Sequence, residues 1–492
     1  MLPQAAFPGK GRSTSFLRIE ENPGAPNFIH SSWHRVRWLR MSPARQSKDF
    51  DVAVVGAGPI GAAAALAFAR RGARVVVFEA NPAAARRLAG EWLHPPGVEV
   101  LGRLGLDVAT EAAGATPGRG FVVFPDDQSA PIVLPYPDGM KGVSLEHESL
   151  VNLMRERAAS HERIDLRMGA RVREIADGTL TVENADGHGE LATFTVDRVV
   201  GADGRSSIVR RALMLKDDAT AMAYTAGVEL RDVELPFEGY GHVVVGGPGP
   251  VLMYRIGPGR VRACFDVPLS VVGRLRRGDP EALWETYKDV LPRQVIDAFR
   301  KALDAKRVQW AAAGFRPRAH YGRGKVALAG DAVGYFHPMT AAGLSLGLAD
   351  AECVAESADV ASYRRHRDTK SWVPELLACA LYLALTRRDP SGVAVRQAVY
   401  RMWRTSEDER SRTMRILACA DTRPEQFVGA FQAVLWDLVR EDLLRGWRTM
   451  PGMLMHLGGW MRWPVASIVP RAVRRVYRAR SSPAFPLWGG PP

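Results

Sequence analysis

Six residues, Gly56-Ala57-Gly58-Pro59-Ile60-Gly61, restrict this chain more than any other stretch because of what flanks them. Val52 to Val55 is a short apolar run of strand type. Ala62 to Ala69 is a small-residue helix that Gly72 closes, and Arg74 to Phe78 is a second apolar strand ending in Glu79. The pattern predicts a βαβ unit in about thirty residues. The first glycine allows a tight turn, and the second lets backbone approach a pyrophosphate. The third lets helix and strand pack closely, as does Ala65 one turn later. The pyrophosphate would sit on the helix N-terminus, where free N–H groups and the helix dipole favour negative charge. Glu79 can accept both ribose hydroxyls of an adenosine. An acid there disfavours a 2′-phosphate, so the site suits FAD or NAD rather than NADP.

Two further turns follow strands. Val199-Val200-Gly201-Ala202-Asp203-Gly204-Arg205-Ser206-Ser207 comes first; Gly330-Asp331-Ala332, after Val326 to Ala329, comes second, with His337-Pro338 soon behind. Taken alone, each is a turn with an Asp cap. Residues 120–135 and 222–268 alternate apolar and polar residues between Gly-Pro turns, as an antiparallel sheet does. A Gly/Ala-rich helix is expected from about Ala341 to Ser357, and residues 366–450 read as helices with broad apolar faces.

With 492 residues, 47% of them hydrophobic and 24% charged, the chain has the composition of a folded protein of about two or three compact units. A mean hydropathy of -0.12 argues against a polytopic membrane protein. Cys264, Cys353, Cys379 and Cys419 form no CxxC pair and the eleven His no metal constellation, so neither a metal site nor a disulfide framework is expected and a reducing cytoplasm fits best. The net charge of +13 is unevenly placed: residues 1–48 hold eight Lys/Arg against two Glu, and 443–492 hold eight Arg and no acid. A nucleic-acid-binding body would carry such charge on its core. Basic ends instead suggest an anionic surface such as lipid. Residues 1–48 read as a disordered basic tail, or as leader ahead of a true start at Met41.

The order and spacing of the three glycine motifs resemble the FAD monooxygenases of the p-hydroxybenzoate hydroxylase type. Several stretches are more similar to the squalene monooxygenase (squalene epoxidase) branch. Arg87-Leu88-Ala89-Gly90-Glu91-Trp92-Leu93, Pro96-Gly97-Val98-Glu99 and Leu104-Gly105-Leu106 match its R-I-V-G-E-L-L, P-G-G and L-G-L. Tyr254-Arg255-Ile256-Gly257, Arg262 and Asp266-Val267-Pro268 match Y-Q-I-G, R and D-I-P. Leu291-Pro292 and Phe315-Arg316-Pro317 echo L-P and F-L-P. Asp331-Ala332 and His337-Pro338-Met339-Thr340-Ala341-Ala342-Gly343-Leu344 match G-D-A and H-P-L-T-G-G-G-M. The chain departs from that pattern at Ala341 and Ala342, where the family has glycines, at Phe336, where it has Arg, and at Val333, Gly334 and Tyr335.

The resemblance implies an α/β fold: a Rossmann-like FAD-binding domain (49–119, 146–215 and 320–365), a mixed antiparallel β-sheet substrate domain (120–145 and 216–319), and a helical C-terminal region (366–492) touching membrane. It implies that one FAD meets Gly56, Gly58, Gly61, Glu79, Arg87, Arg155, Val172, Asp203, Gly204, Gly330, Asp331, Pro338 and Gly343. Pro338, Ala342, Gly343 and Leu344 would lie beside the flavin ring, and Leu252, Tyr254, Phe336 and Met339 would line the substrate site. No side chain is expected to act as an acid or base, and His337 is expected to be structural. Reduced FAD would meet O2 as a C4a-hydroperoxide and pass one oxygen atom to a lipophilic isoprenoid or polyene, with NADPH or NADH as electron source, directly or through a reductase. The alternatives are direct NAD(P)H-dependent hydroxylation of an aromatic or polyketide ring, and a non-enzymatic basic binding protein with a vestigial flavin fold. The expected location is cytoplasmic, peripheral at the membrane face. Residues 451–470, with Arg462 and Pro464 inside and Trp460 and Trp463 beside a basic tail, suit an interfacial helix rather than a span.

Overall fold

The computed structural model describes residues 49–83, 87–184, 191–276 and 280–445. The expectations for residues 1–48 and 451–480 lie outside the described residues.

The βαβ unit forms as read: β1 (Val52–Val55), α1 (Pro59–Arg70) and β2 (Val75–Glu79). It lies inside a six-stranded sheet ordered Gly322–Arg323, Val326–Leu328, Arg198–Gly201, β1, β2, Ile164–Met168. All its pairs are parallel except the edge pair Gly322–Arg323 with Val326–Leu328. Parallel strands with both faces covered need continuous apolar runs, and β1 (VAVV) and most of β2 (VVVF) are buried residue by residue. α1 covers one side with alanines, and it crosses closely the helix Ala342–Glu356.

A second, seven-stranded sheet has the order Val308–Phe315, Thr220–Arg231, Arg260–Pro268, Val251–Gly257, Tyr240–Val244, Gly120–Phe124, Ile132–Pro135. Its alternation sorts side chains between two cores. Val251 and Met253 face the amphipathic helix Arg293–Asp304, which buries Val295, Phe299, Ala302 and Leu303. Leu252 and Tyr254 face the other way, towards Val373, Leu376, Tyr400, Trp403 and Met414 of the C-terminal helices. One pairing differs from the antiparallel expectation: Gly120–Phe124 runs parallel to Tyr240–Val244. The chain passes through the first sheet between those strands, so no hairpin forces an antiparallel pairing.

The helix Val360–Thr386 starts with a capping box of Asp359 and Ser362. It runs unbroken through the domain boundary expected at 365. Val360 and Tyr363 in its first turns pack on the six-stranded sheet, whereas Val373, Leu376 and Leu377 pack on the seven-stranded one. Its apolar positions switch partner along its length, a change that periodicity does not reveal. Three helices follow, Pro390–Thr405, Glu407–Leu417 and Pro424–Arg445. No helix among the described residues is long and apolar enough to cross a membrane.

Candidate functional site

The glycine loop is shaped by close approach. Gly56 has φ +97°, and a Cβ there would lie 2.8 Å from the Ala202 carbonyl oxygen. A Cβ at Gly61 would lie 1.8 Å from the Gly56 carbonyl oxygen, so α1 can start only with glycine at that position. Gly58 is the opposite case: a Cβ there would meet nothing within 4 Å. It is the N-cap of α1, carries no side-chain cap, and opens onto free space with Pro59 behind it. The donors of the first turn therefore face a cavity. Glu79 closes the other side. Its Oε2 accepts from Ala57 N–H at 2.8 Å and its Oε1 from Asn81 N–H at 2.8 Å. Arg155 lies 3.5 Å from Oε2 and donates to the Ala57 and Pro82 carbonyls, so one guanidinium ties the glycine loop to the end of β2.

Asp203 caps the short helix Ile208–Ala212: its Oδ2 accepts from Ile208 N–H at 2.6 Å, while its Oδ1 is buried with no partner. Burial pushes its carboxyl above the usual range, against the opposing pull of these donors. Gly330, at φ +63°, turns the chain beneath Ile60, and Asp331 beyond it pairs with Arg205 Nε at 3.2 Å. This turn is fixed from behind. Asp350, fully buried, accepts from Gly330 N–H at 2.9 Å and from Arg367 Nε at 2.7 Å, and pairs with Arg318. Arg318 donates in turn to the Gly330 and Gly334 carbonyls.

These pieces share one cavity of about 860 Å³. Gly56, Gly58, Glu79, Arg87, Arg155, Val172, Asp203, Gly204, Gly330 and Asp331 line it, as do Pro338, Gly343, Leu344, Leu252, Tyr254, Phe336 and Met339. Two of the expected residues lie behind the wall: Gly61, packed on Gly56, and Ala342, buried with Phe315, Phe336 and Leu346.

Residues 337–345 are held from both sides by imidazoles. His94 is fully buried, and burial lowers its imidazole to about 4. Its Nε2–H donates to the Thr340 carbonyl at 2.8 Å, so Nδ1 accepts from the Tyr136 hydroxyl at 2.5 Å; that oxygen accepts from Trp92 Nε1–H at 3.0 Å. On the other side His337 Nε2 meets Asp266 Oδ1 at 2.8 Å. Ala341 adopts φ +51°, the left-handed region that glycine occupies more readily.

Sequence reasoning gave no role to Glu91, Arg262, Asp266, His94, Asp350 or Arg318. Glu91 and Arg262 form a buried ion pair at 3.0 Å, and the Tyr254 hydroxyl donates to Glu91 at 3.1 Å. Burial raises the Glu91 carboxyl, with Arg262 pulling the other way. The signal for three of them was present: Glu91, Arg262 and Asp266 are charged residues inside apolar strand-like stretches. Nothing in the spacing of Asp350 and Arg318 pairs them.

The family model described as an FAD binding domain matches residues 49–357. The chain belongs to this family of FAD-binding proteins. It is 30% identical over 306 residues to squalene epoxidase 1 of Arabidopsis thaliana, covering 61% of this chain and 57% of that one. It is 26% identical over 375 residues to squalene monooxygenase of Rattus norvegicus, covering 72% and 65%. The match thus spans less than two thirds of either relative. Among solved structures, p-nitrophenol 4-monooxygenase PnpA from Pseudomonas putida DLL-E4 superimposes with a TM-score of 0.62 at 23% identity, over 78% of this chain and 98% of that one. That likeness concerns the fold. The residues suit FAD: space lies open over Gly58 at the start of α1, and Asp203 Oδ1 is a buried acceptor with no donor. Each Glu79 oxygen keeps a second lone pair for a ribose hydroxyl.

Proposed function

We propose that the protein is an FAD-dependent monooxygenase that epoxidises or hydroxylates a lipophilic substrate, an isoprenoid or polyene chain. The observation that carries this reading is one cavity lined both by the three glycine motifs and by the apolar residues Leu252, Tyr254, Phe336, Met339 and Leu344. Reduced FAD, when bound, supplies the electrons with which O2 is divided between product and water. This chain's residues do the rest. Gly56 to Gly61 and the α1 N-terminus bind pyrophosphate, Glu79 the adenosine ribose, and Asp331 the ribityl end. Backbone N–H groups of Ala342 to Leu344, opening the helix Ala342–Glu356, offset negative charge on a reduced ring. The wall holds a target carbon and keeps water out. Tyr254 spends its hydroxyl on Glu91 and so presents mostly hydrocarbon.

The deciding experiment incubates reduced holoprotein with lipid extract under labelled O2. Products heavier by one labelled oxygen are expected, and an extract left unchanged while O2 is consumed only to peroxide would contradict the proposal. A second reading, direct NAD(P)H-dependent hydroxylation of an aromatic ring, is favoured by the arginines on the cavity lining, Arg87, Arg171, Arg173, Arg205 and Arg211, which suit a dinucleotide phosphate. NADPH oxidation by the protein without a reductase distinguishes it. Our reading adds peripheral contact with a membrane face through the basic end of the chain, supported by Trp436, 72% exposed on the helix Pro424–Arg445.

A further inference from the structure

The cavity wall contains an acid and an imidazole that the proposed function leaves unused. Asp266 and His337 meet at 2.8 Å with side chains only 5% and 4% exposed. Asp266 is closely packed. A Cβ at Gly249 would fall 2.4 Å from its Oδ2, and its carbonyl accepts from the Tyr287 hydroxyl at 2.8 Å. The His337 ring lies 4.4 Å from that of Tyr382 on the helix Val360–Thr386. Strand, turn and C-terminal helix thus converge on one imidazole.

The tautomer follows from its neighbours. Nδ1 faces Met339 N–H at 3.3 Å and caps the turn Pro338–Thr340, so it must be an acceptor. The ring proton then lies on Nε2, pointing at Asp266 Oδ1. The other tautomer would set N–H against N–H at Met339 and leave the carboxylate without a donor. We infer that Asp266 is a positioning residue for the flavin site: by accepting the Nε2–H it fixes His337 as the cap of the Pro338–Thr340 turn, and so holds the Ala341–Leu344 backbone in place for FAD. The inference rests on the reading that the flavin ring lies against this loop. The two peptide groups of the turn are then served by two imidazoles of opposite role. His337 accepts from Met339 N–H, and His94 donates to the Thr340 carbonyl.

The test is a double-mutant cycle on the full chain. FAD affinity is read by fluorescence titration of apoprotein, the bound flavin by its visible spectrum, and fold stability by thermal melting. Asp266→Asn keeps an acceptor for Nε2–H and should bind FAD as wild type does. Asp266→Ala should bind about tenfold more weakly, the scale of one lost hydrogen bond to a charged group, with a shifted flavin spectrum. Asp266→Leu, which fills the space, replaces it should the alanine variant not fold. His337→Asn caps the turn without needing the carboxylate, so removing Asp266 in that background should cost nothing further. A lower melting temperature with unchanged FAD affinity and spectrum in Asp266→Ala would overturn the inference. So would an equal loss in the His337→Asn background. Wild-type protein that takes up no FAD would overturn the functional reading instead.

Discussion

Ala341 shows how a single residue can carry strain at a cofactor loop. Its φ of +51° costs an alanine about 1–2 kcal/mol relative to glycine, partly offset by the larger freedom of glycine in the unfolded chain. Ala341→Gly should therefore stabilise the protein by about 1 kcal/mol, seen as a higher midpoint in urea unfolding. His94 sets a pH dependence. Its imidazole, held down to about 4 by burial, stays neutral in the folded protein while the unfolded chain protonates near 6.5. The unfolded state binds the proton first, so stability falls as pH drops below about 6.5, and the loss levels off near 4. By pH 5 the loss from this group is about 2 kcal/mol. His147 and His242, lowered to about 4 by the same cause, add to it. Urea unfolding at pH 7 and pH 5 measures the sum. His94→Gln, which can still accept from Tyr136 and donate to Thr340, should remove one proton from the slope.

At the scale of elements, the glycine turns are only as firm as the buried charges behind them. Asp350 lies between Arg318 and Arg367 and holds Gly330 through its N–H. Asp350→Ala strands two buried guanidinium groups and should cost about 3–5 kcal/mol of unfolding free energy, with FAD lost on purification. The sequence made the four inner strands of the six-stranded sheet legible because burial on both faces leaves an apolar run, whereas the edge strands Ile164–Met168 and Gly322–Arg323 carry no such run. The glycine loop was legible because Gly61 has no alternative at its packing distance. The parallel pairing of Gly120–Phe124 was not, since strand direction here depends on where the chain travels between two distant strands. The pairs Glu91–Arg262 and Asp266–His337 were half legible. Each residue is a polar group among apolar neighbours, but its partner lies on another element.

For the whole molecule, residues from both large sheets and from the start of the helix Ala342–Glu356 line one cavity, and most of the residues expected to serve cofactor and substrate share its wall. Phe336, Ala341 and Ala342 depart from the squalene monooxygenase pattern; the first two line the cavity and Ala342 lies behind it. The claim beneath all of this is that one FAD touches all three glycine motifs. Fluorescence titration of apoprotein with FAD tests it most directly. The account predicts one FAD per chain, and the same binding event weakened by Glu79→Ala on the first motif and by Asp331→Ala on the third. Uptake of no FAD, or an affinity indifferent to both substitutions, would contradict it.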